Sequence, residues 1–278
     1  MKLNDLTSEI IRKKSYLCVG LDIDLSKIPS EFLKFQDPIY EFAKRIIDTT
    51  SKYVIAYKPN LAFFESYGSN GFKSLEKIMK YLNSNYPEIF TIADAKRGDI
   101  SNSSLMYSKA YFETLGFDSI TLSPYMGKDS IEPFLVFKNK FAILLALTSN
   151  DGHRDFQLQK KNDSYLYEDV IKKSQTYENS NRLMYVVGAN HFTLLKNIRG
   201  IIPNSFLLIP GFGEQGGDLE KVSNLAINDN VGLIVNSSRK ILYSFTKYET
   251  FDLEVEQSTK KVQLKMEKIL INKSIINA

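Results

Sequence analysis

The chain has 278 residues, of which 43% are hydrophobic and 24% are charged, as is ordinary for a globular protein. Its net charge of +4 comes from 36 basic and 32 acidic side chains without a basic block, so we expect no nucleic-acid partner. No apolar run approaches the roughly 18 residues of a membrane span, and the first residues lack the apolar core of a signal peptide. With a single cysteine, Cys18, we expect a cytoplasmic protein with no internal disulfide and no membrane partner.

Eight short apolar segments recur along the chain and predict strands. Their apolar residues are continuous rather than alternating, which is typical of parallel strands covered on both faces. The segments are residues 16–22, 53–59, 90–96, 118–124, 141–149, 183–189, 205–211 and 231–238. Several of them end in a polar or turn residue, as a strand does where it enters a loop.

Stretches with helical spacing of apolar residues separate these segments. Three apolar faces can be read: Ile39, Phe42, Ala43, Ile46 and Ile47; Phe72, Leu75, Met79 and Leu82; and Val255, Val262, Met266, Ile269 and Leu270. Strand and helix alternate throughout, which predicts a parallel α/β fold. We therefore expect a single-domain (β/α)₈ TIM barrel over residues 1–278, with an open doubly wound sheet as the alternative.

Polar residues stand where several of the predicted strands end, which is where such barrels carry their chemistry. They are Asp22, Lys58, Asp94, Lys96 and Ser149. Taken alone, charges like these are usually solvated surface ion pairs. Residues two apart on a strand point to the same side, so Asp94 and Lys96 should face the barrel mouth together. Asp99 lies beyond that strand, on a loop from which it can reach elsewhere, including a second subunit.

A glycine-rich segment, "PGFGEQGGD" (210–218), follows the seventh predicted strand. It matches G-x-G-x-x-G, but a dinucleotide fingerprint should follow the first strand of its unit. Glycines let backbone N–H groups approach an anion, and the loops after strands seven and eight often bind phosphate in these barrels. Arg239 follows the eighth strand and has a planar fork suited to phosphate. The segment therefore predicts a phosphate clamp, with a glycine turn and a surface arginine as the alternative.

Eight pieces of the sequence together resemble the orotidine 5′-phosphate decarboxylases, in their longer type 2 bacterial branch. They are "LCVGLD" (17–22), "YKPNLAFFESYG" (57–68), "DAKRGDI" (94–100), "TLSPYMG" (121–127), "TSN" (148–150), "VVGAN" (186–190), "PGFGEQGGD" (210–218) and "SSR" (237–239). The D-x-K-x-x-D pattern is shared with a wider suprafamily of sugar-phosphate enzymes. The segments 57–68 and 210–218 point to the decarboxylases.

The resemblance implies decarboxylation of orotidine 5′-monophosphate to UMP and CO₂, the last step of de novo pyrimidine biosynthesis, with no metal and no organic cofactor. It implies a homodimer with shared active sites, in which Lys58, Asp94 and Lys96 form a charge network completed by Asp99 of the partner chain. Decarboxylation leaves a carbanion at C6 with no electron sink. Acids flanking Lys96 favour its ammonium form, which can stabilise that charge and protonate C6.

The same resemblance implies the substrate contacts. Asp22 would bind the ribose, Ser103 would hold it from the partner side, Ser149 would touch the pyrimidine, and Gln215 and Arg239 would bind the phosphate. Two positions depart from the family pattern. Ser103 stands where threonine is usual and keeps the hydroxyl, whereas Asp151 replaces a common proline, which leaves the conformation of the polar loop 150–165 undefined.

Two other functions are compatible with parts of the pattern. A relative that decarboxylates or cleaves a keto-sugar phosphate with Mg²⁺ would need further acids as ligands, and Glu65 is the nearest one. A non-catalytic nucleotide- or RNA-binding barrel is disfavoured because clustered buried charge is costly without a catalytic use. The two histidines, His153 and His191, are too few for a histidine metal site, and we expect solvated or capping roles.

Overall fold

Eight parallel strands close into a barrel in this computed structural model, which describes residues 3–211 and 218–277. The strands are β1 (Leu17–Leu21), β2 (Ala56–Pro59), β3 (Phe90–Arg97), β4 (Ser119–Leu122), β5 (Phe141–Leu147), β6 (Leu183–Val187), β7 (Leu207–Ile209) and β8 (Leu233–Ser237). Each strand pairs with the next, and β8 pairs with β1. Every predicted segment holds one strand, so the predicted closed barrel is confirmed and the open sheet is wrong.

Helices cover the outside of the barrel. In the described part of the chain they are α1 (Leu3–Lys13), α2 (Pro38–Thr50), α3 (Leu61–Glu65), α4 (Gly68–Asn85), α5 (Ser101–Lys109), α6 (Glu132–Leu135), α7 (His153–Phe156), α8 (Leu166–Ser174), α9 (Phe192–Ile201), α10 (Leu219–Ala226), α11 (Arg239–Leu242) and α12 (Phe251–Asn272). A small antiparallel hairpin pairs Lys160–Lys161 with Ser164–Tyr165. Within residues 3–211 and 218–277, every helix is too short or too polar to cross a membrane.

The start of α2 illustrates how local sequence sets these elements. The carboxylate of Asp37 accepts a hydrogen bond from the Tyr40 amide, and Pro38 occupies the first turn, where its missing N–H costs nothing. The five apolar residues predicted to share a face of this helix are all buried against the barrel. A capped start and a continuous apolar face therefore hold α2 in place.

The predicted face of α4 is partly wrong. Leu75, Met79 and Leu82 are buried, but Phe72 is 44% exposed. A Cβ atom on Gly71 would lie 1.9 Å from the carbonyl oxygen of Phe64, so only glycine permits this approach to α3. That contact turns Gly71 rather than its neighbour Phe72 toward the core.

Candidate active site

A cavity of about 190 Å³ opens at the carboxyl ends of the barrel strands. Its wall is built from the ends of β2, β3 and β8 and from the segments that follow β1, β5 and β7. Five residues predicted from the sequence line it: Asp22, Lys58, Asp94, Ser149 and Arg239. Although they are far apart in the chain, parallel strands bring them to one end of the barrel.

Three charged side chains at the ends of β2 and β3 form a continuous network. The Nζ atom of Lys58 lies 2.5 Å from Asp94 Oδ2, and the Nζ atom of Lys96 lies 2.5 Å from Asp94 Oδ1. Lys58 and Asp94 are nearly buried, whereas the Lys96 side chain is 51% exposed. Asp94 is therefore held between two ammonium groups, and the more exposed one can exchange protons with solvent.

The electrostatics of this network keep its buried pair charged. Burial would lower the pKa of Lys58, but the carboxylates of Asp94 and Asp22 outweigh it and the pKa is raised. Burial would raise the pKa of Asp94, but the ammonium groups of Lys58 and Lys96 hold it well below its usual range. At neutral pH the site thus has fixed charges, which is the preorganised state that electrostatic catalysis requires.

Lys96 occupies a bulge in β3. Ala93 pairs with Ile120 and Arg97 pairs with Leu122, so three residues of β3 stand opposite the single residue Thr121 of β4. The backbone of Lys96 has φ of +47°, an uncommon value for a residue with a side chain. The prediction that Asp94 and Lys96 meet at the mouth rested on simple strand alternation. The two side chains do meet, but the bulge sets the position of Lys96.

Thr121 connects the bulge to the charge network, and sequence reasoning gave it no role. Its buried hydroxyl accepts a hydrogen bond from the Lys96 amide at 3.0 Å and lies 3.2 Å from Asp94 Oδ1, to which it can donate. One hydroxyl therefore fixes both the backbone of one charged residue and the carboxylate of the other. The only signal in the sequence was a threonine at a strand end.

Glu65, considered above as an additional metal ligand, makes an ion pair with Arg97 instead. The Arg97 guanidinium also donates to the Tyr111 hydroxyl at 3.0 Å and to the Ala95 carbonyl at 3.1 Å, and it lies over the ring of Tyr107. In residues 3–211 and 218–277, no group of three or more His, Cys, Asp and Glu side chains is arranged to hold a metal ion. Glu65 therefore helps to hold Arg97, the residue next to Lys96, in position.

The opposite wall of the cavity contains buried polar atoms that make no hydrogen bond within the described residues. Among the described residues, Asp22 Oδ1, Asn236 Oδ1 and Ser237 Oγ are buried without a hydrogen bond, and all three residues line the cavity. Buried polar atoms are nearly always bonded, so a ligand with hydroxyl or N–H groups fits here. A Cβ atom on Gly20 would lie 2.0 Å from Ser238 Oγ, so a side chain at position 20 would displace the Ser238 hydroxyl at this wall. Sequence reasoning missed Asn236 and Ser237, although they lie beside the predicted Arg239.

Comparison with known proteins shows the family of this chain. Residues 15–250 match the sequence profile of the "Orotidine 5'-phosphate decarboxylase / HUMPS family". The chain belongs to this family. An orotidine 5'-phosphate decarboxylase of Flavobacterium johnsoniae is 54% identical over 273 residues, covering 98% of this chain and 100% of the relative. One of Christiangramia forsetii is 57% identical over 244 residues, covering 88% of this chain and 90% of the relative.

Solved structures of the same family share the fold. The structure of Leishmania donovani OMP decarboxylase has a TM-score of 0.83 at 31% identity and covers 97% of this chain and 99% of its own. That of Plasmodium berghei orotidine 5'-monophosphate decarboxylase has a TM-score of 0.83 at 26% identity, with 98% and 99% covered. The family barrel therefore extends over nearly the whole chain.

The predicted phosphate side of the cavity lies partly within the described residues. Arg239 and Lys240 begin α11 at the cavity wall, and Pro210 and Gly211 line the same side after β7. Gly211 has φ of +83°, which suits a turn of the backbone toward the cavity. The predicted phosphate ligand Gln215 lies outside the described residues.

In the described part of the molecule, three predicted residues are not among those that line the cavity of their own chain: Lys96, Asp99 and Ser103. Lys96 is connected to the cavity by its ion pair with Asp94, which does line it. The Asp99 carboxylate accepts a hydrogen bond from the Ile100 amide at 2.8 Å, and no side chain caps the first turn of α5. Ser103 is exposed on α5. That Asp99 and Ser103 contribute to a partner's site stays a prediction.

The histidines lie beside the site, on the segments after β5 and β6. Of the two expected roles, solvated or capping, the solvated one is wrong for His153, which is buried, and His191 is partly buried. The loop 150–165, which the sequence left undefined, contains α7 and the small hairpin.

Proposed function

We propose that this protein decarboxylates orotidine 5′-monophosphate to UMP and CO₂, the last step of de novo pyrimidine biosynthesis, without a cofactor. Family membership over residues 15–250 and the similarity to decarboxylases of other bacteria support the reaction class. The single observation that carries the proposal is the network of Lys58, Asp94 and Lys96 at the barrel mouth. A single buried cysteine, Cys18, accords with a reducing cytoplasm.

The chemistry follows from where the charges lie. The bond between C6 and the carboxylate breaks, CO₂ leaves, and the electron pair stays on C6. Lys96 then transfers an ammonium proton to C6 and is left as a neutral amine, which solvent reprotonates because the side chain is half exposed. Asp94 faces the departing carboxylate, and Lys58 holds it there as a buried, permanently charged partner.

Substrate recognition uses the opposite wall. The unpaired acceptors of Asp22, Asn236 and Ser237 suit the hydroxyl groups of the ribose. Ser149 contacts the pyrimidine. Gln215 and Arg239 bind the phosphate, whose binding energy is available to orient the ring and to close loops over it.

We also propose that the active form is a homodimer. The helices α5 and α6 pack against each other. Large apolar side chains are exposed on α5 and the residue before it, on the loop between β4 and α6, and directly after α6: Ile100, Met106, Tyr107, Tyr125, Met126 and Val136. A cluster of exposed apolar residues marks an interaction surface. Asp99 and Ser103 lie on or next to α5, so a second copy on this surface brings them near the partner's cavity, with two-fold symmetry placing both pairs alike.

The reaction is tested by incubating the purified protein with orotidine 5′-monophosphate in the presence of EDTA. We expect UMP and CO₂ in equal amounts, at a rate that EDTA does not change. No UMP, with or without added Mg²⁺, would contradict the proposal. Turnover that requires Mg²⁺ would instead favour metal-assisted chemistry of the wider suprafamily.

A further inference from the structure

Three consecutive carbonyl oxygens directly after β5, those of residues 148–150, each accept a hydrogen bond from a different side chain. His191 Nε2 lies 2.7 Å from the Thr148 oxygen, Asn190 Nδ2 lies 3.2 Å from the Ser149 oxygen, and His153 Nδ1 lies 2.6 Å from the Asn150 oxygen. Because a carbonyl only accepts, each of these ring nitrogens carries its proton, which fixes the tautomer of both rings. We call this arrangement the carbonyl clasp.

The carbonyl clasp joins two strand ends through closely packed groups. His153 comes from α7 after β5, and His191 comes from the segment after β6, yet their ring centroids are 4.6 Å apart. A Cβ atom on Gly188 would lie 2.9 Å from the Cα atom of Ser149, so glycine is needed for the two segments to touch. Burial lowers the pKa of His191, which keeps the ring neutral beside the other imidazole.

The residue before Ser149 is also held from the other side. Gln157 accepts a hydrogen bond from the Thr148 amide at 2.7 Å and donates one to the Thr148 hydroxyl at 2.9 Å. With its carbonyl bound by His191, every polar group of Thr148 has a partner. The peptide planes on both sides of Ser149 are therefore fixed, and the direction of its side chain depends on them.

We propose that His153 and His191 are positioning residues that hold Ser149 against the base of the nucleotide. Ser149 lines the cavity, whereas the hydrogen-bonding ring nitrogens of both histidines are directed at backbone carbonyls. The histidines thus act through Ser149 rather than on the substrate. The inference rests on the proposed function, since it takes the base to lie next to Ser149.

A pair of ligands separates this role from general structural support. UMP has the base, whereas ribose 5-phosphate lacks it. His191→Leu removes the donor to the Thr148 carbonyl and should weaken UMP binding about tenfold, as expected when such an oxygen loses its partner. Binding of ribose 5-phosphate should stay unchanged. His191→Gln keeps an N–H near the original position and should restore most of the UMP affinity, as His153→Asn should at the other ring.

A matched control removes carbonyl contacts from the far end of β6. Arg182 donates to the carbonyls of Leu135 and Phe137 at 2.6 and 3.3 Å, away from the cavity. Arg182→Met should lower the unfolding midpoint and leave the ratio of the two ligand affinities at the wild-type value. Equal losses for UMP and ribose 5-phosphate in His191→Leu would overturn the positioning role.

A double-mutant cycle tests the route through Ser149. Ser149→Ala should weaken UMP binding, and His191→Leu should add nothing further in that background. Ser149→Ala without effect would contradict the proposed placement of the base itself. If the losses of UMP affinity from Ser149→Ala and His191→Leu simply add, the role of the carbonyl clasp is overturned. It is also overturned if Ser149→Ala weakens UMP binding but His191→Leu alone does not. Either result leaves the proposed reaction standing.

The hydrogen bonds of the two histidines can also be tested in the wild-type protein, so that this test does not depend on a variant that folds. The chain has 2 histidines, so NMR of the imidazole N–H protons reports on this pair alone. We expect two slowly exchanging N–H signals, because both protons are bound to carbonyls. Rapid exchange of both protons with solvent would overturn the proposal.

Discussion

The two walls of the cavity differ in whether their polar groups are paired. On the β2–β3 wall, the Asp94 carboxylate already bonds to Lys58 and to Lys96, which lies outside the cavity lining, and Thr121 supports it. On the β8–β1 wall, the buried acceptors of Asn236, Asp22 and Ser237 have no partner among the described residues. In the proposed reaction the β2–β3 wall is the catalytic wall and is assembled before substrate arrives, whereas the β8–β1 wall is the binding wall and is completed by the substrate. Charge that is fixed before the reaction can stabilise a transition state, and binding energy from the rest of the substrate can be used to orient it.

Removing the proton donor of the catalytic wall should have the largest effect. Lys96→Ala should lower kcat by at least about 10²-fold, within the 10²–10⁴-fold range of a positioned acid. UMP affinity should change far less, since the binding wall remains. Steady-state kinetics and UMP titration on the same preparation measure both quantities, and turnover within about tenfold of wild type would exclude Lys96 as the donor.

A third contribution to the site is proposed to come from the partner chain, and mixing two inactive variants tests it. Lys96→Ala and Asp99→Ala chains are co-expressed with different tags and purified through both. In a shared site, one of the two cavities carries both changes and the other carries neither, so activity should return to about half the wild-type value per heterodimer. If Asp99 serves its own chain, every cavity keeps one change and the mixture stays inactive.

The next largest effect is expected on ligand affinity, when the arginine predicted to bind the phosphate is removed. Arg239→Ala should weaken UMP binding about 10- to 100-fold, the range for losing a charge-assisted hydrogen bond. Uridine lacks the phosphate, and its binding should change little. Calorimetric titration with both ligands gives the comparison, and equal losses for the two would mean that Arg239 does not contact phosphate.

The smallest effect concerns the pH dependence of folding stability. It follows from the shifted pKa values of the buried Lys58–Asp94 pair. The lowered pKa of Asp94 adds stability above the ordinary value of about 4, which is lost as pH falls through the native pKa. The raised pKa of Lys58 adds stability below about 10.4, which is lost as pH rises through the native pKa. Urea unfolding of wild type and of a Lys58→Met, Asp94→Leu double variant measures the difference. The free energy of unfolding of wild type, relative to that of the double variant, should be highest between about pH 5 and 9. A difference that does not depend on pH would contradict the account.

The sequence was sufficient for the barrel because each strand is a continuous apolar run and several of the intervening helices have an apolar face. It also placed Asp94, Lys58 and Ser149 at the mouth, because parallel strands end together. The bulge at Lys96 could not be predicted, since it depends on the register of β3 against β4. Nor could the role of Thr121, which arises only where two strands meet. Motif reasoning predicts charged residues more readily than the neutral groups that hold them.

The central claim is that C6 of the nucleotide receives its proton from Lys96. Turnover of orotidine 5′-monophosphate in D₂O, followed by mass spectrometry and NMR of the UMP, tests it most directly, because the ammonium protons of Lys96 exchange with solvent before each turnover. The account predicts one deuterium at C6 for every CO₂ released by the wild type, and product formation by Lys96→Ala that is slower by at least about 10²-fold. UMP without deuterium at C6, or deuterated UMP formed by Lys96→Ala at the wild-type rate, would contradict it.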